Sequence, residues 1–447
     1  MSKFMLFLRH SFALIWEDKL LSAIYIAGTA VAIGSAMVIA IVFHIKLGDI
    51  RPESNRSRTL YVSNIFVTET ARKNGSGVRA GISTAAIDSV FRKMKSVELV
   101  SGLCSANWNH FVITDEQHEH IVNTVAISCD PDFFRLYDFE FISGRPFTEK
   151  EFRSGEPVCV VSETLAKKMD GVDHFVLYDR KRVPPLRIVG VVKSVSDFME
   201  NSSADIYIPY KAKDILEYDS EYSNEQIPYS GQLEMRVLLR DGFSRQDFLE
   251  EVEPIRQHYN AMISAIKGEQ VEWVLNADTH FFHSVNFFGR ENEQNVIGKA
   301  KNLTIPGLLM LLFLLLPAIN LSGLVSNRME ARRAEMGIRK TFGAKRLWLL
   351  REVINENLVL TILGGIVGWW LSWLFIKAVS ESNILVDLFM ANDKPNRDMA
   401  LDIQMFFTPT LFLVAFACCA VINLMAALIP AWSALRKPIV ESLNQKR

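Results

Sequence analysis

The chain has almost no net charge: 49 Lys and Arg stand against 50 Asp and Glu in 447 residues, a formal balance of −1. A general nucleic-acid binder carries a basic excess, so no nucleic-acid partner is expected. Cysteine is scarce, five in all, which excludes a scaffold stapled by disulfides. Cys104, Cys129 and Cys159 leave room for at most one disulfide, and Cys418 and Cys419 lie about 100° apart around a helix; all five read as free, small apolar residues. The chain also lacks a G-x-S-x-G elbow, a G-x-G-x-x-G loop after a strand, an H-E-x-x-H motif and a paired C-x-x-C. His118 with His120, and His280 with His283, read as exposed loop histidines. Gly190-Val191-Val192-Lys193-Ser194 lacks the second glycine of a phosphate-binding loop, so the chain is not expected to hydrolyse ATP by that route. No catalytic, cofactor or metal residue is assigned, and the expectation is a non-catalytic protein driven, if it does work, by another subunit.

What the sequence does have is uneven hydrophobicity. Apolar residues make up 49%, and four stretches, 20–45, 302–327, 357–376 and 403–435, contain no Asp, Glu, Lys or Arg. Each reaches the ~20 residues that a helix needs to cross ~30 Å of hydrocarbon. The expected fold is an integral membrane α-helical protein with four transmembrane helices and a large extracytoplasmic α+β domain of two lobes. Its predicted layout is an amphipathic interfacial helix (1–19), spans at 20–45, 301–327, 352–379 and 406–430, an outer domain (46–300), a cytoplasmic loop (328–351), a short outer loop (380–405) and a cytoplasmic tail (431–447). Ala30-Val31-Ala32 resembles a cleavage site, but the apolar run continues to Phe43, so a signal anchor is predicted.

Basic residues fix the orientation. Eight lie between Arg328 and Arg351 against Glu330 and Glu335, whereas Ser380 to Phe407 has Lys394 and Arg397 against five acids. Both termini are therefore predicted to be cytoplasmic in a multi-pass inner-membrane protein. Glu356 and Lys377 flank the third span, and Asn320 and Asn423 are the strongly polar residues inside spans. That poverty disfavours a secondary transporter with a substrate site at mid-membrane depth. Gly364-x-x-x-Gly368, beside Gly365, offers a flat face for close helix packing.

In the outer region, Arg58–Val67 reads as one strand, and Ser83 as the N-cap of a helix with Ile87, Val90, Phe91 and Met94 on one face. Trp108–Thr114 and His120–Ser128 flank a polar turn and suggest a hairpin. Pro157–Val161, Arg187–Lys193, Ile206–Pro209 and Leu233–Leu239 read as strands, and Ser244 with Asp247 opens a helix to about Ile266. An inserted lobe is predicted around 105–190.

The cytoplasmic loop is basic yet keeps Met336, Ile338 and Phe342, more apolar surface than a solvated loop needs. A short helix to Phe342, stopped by Gly343, is predicted. Glu335-Met336-Gly337-Ile338-Arg339-Lys340-Thr341-Phe342-Gly343-Ala344 resembles the E-x-G-[IL]-R-[RK]-x-x-G-A signature of FtsX/MacB-type ABC transporter permeases, and Glu356 fits the glutamate opening their next span. Asp130-Pro131-Asp132-Phe133-Phe134, Ser143-Gly144-Arg145-Pro146-Phe147, Val158–Ser162 with Ala166-Lys167-Lys168, and Ile188-Val189-Gly190-Val191-Val192-Lys193 are similar in order and spacing to the MacB-like periplasmic core domain. Pro430–Leu435 and Lys437–Leu443 resemble the family's C-terminal tail. The sequence departs from the pattern at Met169–Leu186, which replaces the usual Gly-Lys and hairpin.

The resemblance implies a permease subunit that couples ATP hydrolysis by a separate cytoplasmic ATPase to movement of the outer domain, for export or handling of a peptide, lipoprotein or toxin. It implies a second permease copy or related chain, membrane lipid, and a periplasmic, outer-membrane or cell-wall partner. Glu335, Met336, Gly337, Ile338, Arg339, Lys340, Phe342, Gly343 and Ala344 would contact the ATPase; Gly364, Gly365 and Gly368 would pack the spans. Competing readings are a transmitter that regulates a cell-wall hydrolase or sensor, and a membrane-tethered outer enzyme.

Overall fold

The computed structural model describes residues 19–69, 77–104, 110–114, 122–169, 174–177, 185–196, 199–212, 229–267, 271–286, 338–339, 341–380 and 409–436, with 308, 323 and 326 singly. The chain divides into a helical unit, 1–44 with 296–382 and 402–447, and an outer unit, 45–295 with 383–401.

In the helical unit, α1 (Lys19–Leu47) begins the described chain and runs on into the first residues of the outer unit. Among the described residues, the helical unit also holds α8 (Arg346–Ser380) and α9 (Pro409–Arg436). Among the described residues, Ser22–Leu47 and Leu347–Phe375 are long and apolar enough to cross a membrane; α9 has a shorter apolar stretch, Phe412–Ile422. The expected count of four spans is thus not reproduced, and the predicted span 301–327 lies outside the described residues apart from 308, 323 and 326. The α8 helix starts six residues before the predicted boundary at 352, three residues after a turn at Gly343. The α9 helix opens with Pro409, whose missing N–H costs nothing in a first turn.

The outer unit is built from fifteen strands and six helices among the described residues. In chain order these are β1 (Thr59–Val62), β2 (Ile65–Glu69), β3 (Gly77–Ile82), α2 (Thr84–Ser89), β4 (Val97–Cys104), β5 (His110–Thr114) and β6 (Val122–Cys129). Next come α3 (Phe133–Leu136), β7 (Phe141–Gly144), α4 (Glu149–Ser154), β8 (Val158–Ser162), α5 (Glu163–Lys168), β9 (His174–Leu177) and β10 (Leu186–Val192). The unit ends with β11 (Ile206–Pro209), β12 (Ser230–Gly231), β13 (Glu234–Leu239), α6 (Arg245–Lys267), β14 (Val271–Leu275), β15 (Asp278–Thr279) and α7 (His280–Asn286).

The predicted single strand at 58–67 is two strands in different sheets. Ser63 and Asn64 interrupt it: β1 pairs with β13 and β15, whereas β2 pairs with β3 and β14. The second, four-stranded sheet runs β12-β3-β2-β14. The predicted hairpin forms, with His110 opposite Val125 and Ile113 opposite Val122. Its strand β6 also pairs in parallel with β11. Because β11 pairs in turn with β8, β8 with β10, β10 with β9 and β9 with β5, six strands return on themselves. The inserted lobe is therefore a closed ring of strands spanning His110 to Pro209, longer than the predicted 105–190 because β11 completes it. The ring joins the rest of the large sheet through β6 and β4, at Leu103–Cys129 and Cys104–Ser128.

Alternation decides which core each ring residue enters. On β8, Val158 and Val160 join the main core, while Cys159 and Val161 join a second cluster with Leu165, Ile206 and Ile208. The main core is continuous from Leu60 and Val100 to Phe133, Phe147 and Val192, so the lobe shares its interior with its neighbours. Phe248, Val252, Tyr259 and Ile263 form the buried stripe of α6. Two end caps follow the sequence, with Ser83 accepting from the Ala86 N–H and Ser244 and Asp247 bonding reciprocally; in addition, Thr148 with Glu151 forms a capping box on α4, a helix that ends at Gly155 with φ 70°. Cys104, Cys129 and Cys159 are free and buried.

Candidate functional site

The elbow that precedes α8 is a Schellman stop. Phe342 donates its N–H to the Ile338 carbonyl, Ala344 donates to Arg339 at 3.0 Å, and Gly343 takes φ 89°. Glycine carries that left-handed conformation without the Cβ penalty. The turn is pinned onto α8 by Arg339, whose Nη1 donates to both oxygens of Glu352 at 2.9 and 2.8 Å. Ala344 packs against a cluster of Tyr25, Leu349, Leu350, Leu360 and Ala431 within the helical unit. Ile338 and Phe342 are exposed at 50% and 88%, and Leu347 and Trp348 are also exposed. Glu335, Met336, Gly337 and Lys340 lie outside the described residues.

The three glycines of α8 meet two different helices. A Cβ on Gly368 would lie 2.7 Å from the Ala30 carbonyl and 3.2 Å from the Gly34 nitrogen, and one on Gly364 would lie 2.7 Å from Thr29. Gly365 instead faces the Phe416 ring of α9. The partner signal on α1, Ala30-x-x-x-Gly34, has the same small-residue spacing and could have been read beside Gly364-x-x-x-Gly368.

In the outer unit, the Asp130 motif is a structural hub. Its carboxylate accepts from Ser101 Oγ (2.8 Å), the Gly102 N–H (3.0 Å), the Phe133 N–H (3.2 Å) and Arg92 Nη2 (3.0 Å). Burial raises the Asp130 carboxyl to about 7, against the pull of the Gly102 N–H and the Arg92 charge. Arg92 also pairs with Asp88 and Asp132. Phe133 and Phe134 then enter an aromatic cluster with Tyr137, Phe139, Phe147 and Tyr207. A cleft of about 880 Å³ opens beside this hub, with Arg92, Arg135, Arg145, Arg153 and Lys211 in its wall. Each of the four arginines has an acidic partner: Asp130, Asp132, Glu151 and Glu149 respectively. Lys211 lies over the Phe152 ring at 5.3 Å. Glu151 accepts from Arg145 and from the Thr148 N–H and hydroxyl, which hold its carboxyl at about 2. These charges compensate one another, which is the arrangement of a braced wall. Among the described residues, no group of three His, Cys, Asp or Glu could hold a metal ion.

One histidine expectation is overturned. His280 is 5% exposed, because its ring fills a polar niche: Nε2 lies 2.6 Å from the Lys46 carbonyl and Nδ1 lies 2.9 Å from the Tyr61 hydroxyl. Since a carbonyl only accepts, Nε2 donates and the neutral ring's Nδ1 accepts from Tyr61. Desolvation and the Arg56 charge lower the His280 pKa. His283 is half-buried and stacks on Tyr61 at 4.5 Å, and His118 and His120 lie outside the described residues. The same niche holds Glu53 and Arg56, both buried, which no spacing rule singled out. Their only sequence cue was a charged pair three residues apart just after an apolar run.

Comparison with known proteins places two families along the chain. The MacB-like periplasmic core domain family matches residues 22–255, and the FtsX-like permease C-terminal family matches residues 307–439. The chain is 25% identical over 325 residues to the macrolide export ATP-binding/permease protein MacB 2 of Aeromonas hydrophila, covering 70% of this chain and 42% of that protein. It is 20% identical over 367 residues to the uncharacterized ABC transporter permease YknZ of Bacillus subtilis, covering 81% of this chain and 83% of that one. The chain thus spans under half the length of the MacB relative. Among solved structures, a permease-protein domain from Porphyromonas gingivalis aligns at 16% identity with a TM-score of 0.39, over 55% of this chain and 97% of that one.

Proposed function

The chain belongs to the family of ABC transporter permeases that join a MacB-like periplasmic core domain to an FtsX-like permease region, and on that basis we propose that it transmits the work of a separate cytoplasmic ATPase to its outer unit. The observation that carries the reading is the inner elbow. A helical turn ended by Gly343 and pinned by Arg339 to Glu352 presents Ile338 and Phe342 as exposed apolar surface among basic residues. Such a ridge suits a groove on a partner with acidic borders.

In this reading, the chain spans the membrane four times with both termini inside, and two permease copies sit on a pair of ATPase subunits. ATP-driven closure displaces the elbow, α8 follows through the Arg339–Glu352 pair, and the close α1–α8 contact passes the displacement to α1. The cargo is a peptide, lipoprotein or toxin handled outside the bilayer. The test is co-purification from the native membrane in mild detergent. The full chain is expected to retain an ATPase subunit and to change its hydrolysis rate. Phe342→Ala should weaken retention by about 1–3 kcal/mol, roughly 5- to 150-fold. A wild-type chain that retains no ATPase, or a Phe342→Ala chain that retains it fully and leaves hydrolysis unchanged, would defeat the proposal.

A further inference from the structure

A helix that leaves a membrane ends with carbonyls that have no intrahelical partner. In most helices water or a glycine turn satisfies them. At the end of α1, two buried side chains from the outer unit do so instead. Arg56 Nη1 donates to the carbonyls of Ile45 and Gly48, the latter at 2.7 Å, and His280 Nε2 donates to Lys46 at 2.6 Å. All of these residues belong to the outer unit.

The guanidinium is itself locked. Its Nε donates to Glu53 at 2.8 Å, and the other Glu53 oxygen accepts from Ser202 Oγ at 2.7 Å. Arg56 is 2% and Glu53 1% exposed. Burial opposes ionisation of Glu53, but Arg56 and the Ser202 hydroxyl outweigh it and hold the carboxyl below its usual range. A buried ion pair adds little net stability, because desolvation offsets its attraction. It does fix geometry, since each partner is costly to leave alone. The surrounding chain is tied at further points: Lys46 Nζ pairs with Glu200 at 3.4 Å, Asp138 donates its N–H to the Pro52 carbonyl at 2.8 Å, and Arg58 donates to the Leu239 carbonyl. Residues 45–58 are thereby bonded to segments around 138, 200, 239 and 280.

Without these bonds, Gly48 would be a natural pivot between α1 and β1, because glycine has the widest backbone freedom. We infer that Arg56, oriented by Glu53 and assisted by His280, is the joint that makes the end of α1 and the sheet carrying β1 and β13 move as one body. This rests on the force-transmitting reading given above and names the residues that would deliver the motion. Glu53 and Ser202 are positioning residues, acting through the guanidinium.

The test uses the full chain in detergent or nanodiscs, without nucleotide or ATPase, so its outcome is independent of whether a motor subunit binds. Spin labels at Leu47→Cys and Asp241→Cys, both within the outer unit and in a Cys418→Ser background, report the distance between the end of α1 and the outer sheet. Amide exchange is followed in parallel. The otherwise unsubstituted chain is expected to give one narrow distance population. Arg56→Lys keeps the charge but loses the fork that spans two carbonyls and Glu53. It is expected to broaden that population and to speed exchange across residues 45–50 by roughly 10-fold or more, while β1 and β13 exchange as in the wild type. An unchanged width with unchanged exchange overturns the inference, and so does equal acceleration in β1 and β13, which would mark Arg56 as merely structural. Should Arg56→Lys fail to fold, His280→Phe removes one cap and leaves the ion pair intact. The same localised change, smaller in size, is expected there; wild-type width and exchange in that variant overturn the inference.

Discussion

The outer unit and the helical unit achieve close packing by opposite means. Around Asp130 and around Glu53, polar groups enter the interior and are surrounded by donors until little of their hydrogen-bonding capacity is unmet. Between α1 and α8, glycine removes the side chain at the closest approach, and Gly368 lies where a single added carbon would strike the Ala30 backbone. The first design suits a domain surrounded by water, where apolar burial supplies the driving force and polar groups must be accounted for one at a time. The second suits hydrocarbon, where lipid is as apolar as leucine and helices associate by fitting closely. Damage should therefore take different forms: exposed polar debts in one unit, steric separation in the other.

The sharpest way to break this contrast is at the hub. Asp130→Ala strands two backbone N–H groups, the Ser101 hydroxyl and part of the Arg92 charge, and should destabilise the outer unit by about 3–5 kcal/mol, read as a fall in its unfolding midpoint. A cost below 1 kcal/mol would mean the network is incidental. The same unit should respond to pH from both sides. Asp130, raised from 3.8 to about 7, contributes stability that is present below 3.8 and lost as pH rises through 7. Glu151, lowered from 4.5 to about 2, contributes stability present above 4.5 and lost as pH falls through 2. Melting curves at stepped pH should show the first slope disappear in Asp130→Asn and the second in Glu151→Gln.

In the helical unit, Gly368→Val should cost about 1–3 kcal/mol by forcing α1 and α8 apart, seen as a lower melting temperature in detergent. Gly28→Val is the control, since nothing lies within 4 Å of a Cβ there; equal losses in both would argue against the close crossing. The smallest effect is expected at Ser83→Ala, about 1 kcal/mol for a lost N-cap.

Much of the secondary structure was legible. Ile206–Pro209 follows from a short run of β-branched and aromatic residues, and the Ser83 and Ser244 caps follow from short polar side chains at the start of helical patterns. Gly343 was readable as a stop because few other residues accept a positive φ. The joint at Arg56 was not. Its partners, Ser202 and His280, are 146 and 224 positions away along the chain, and a local window treats a charged pair after a span as solvated. Likewise, the strand at 58–67 reads as continuous because both of its halves are apolar, and only pairing with different neighbours separates them.

Composition and patterning alone settled that this chain has membrane-crossing helices, an outer mixed domain and an elbow with exposed apolar surface, because those depend on hydrophobic period and on backbone preference at single positions. The tertiary structure decided that β11 closes the six-strand ring, that Gly364 and Gly365 face different helices, and that His280 is a buried cap. Each of those is a pairing between groups far apart in the chain, fixed by the geometry of the assembled fold.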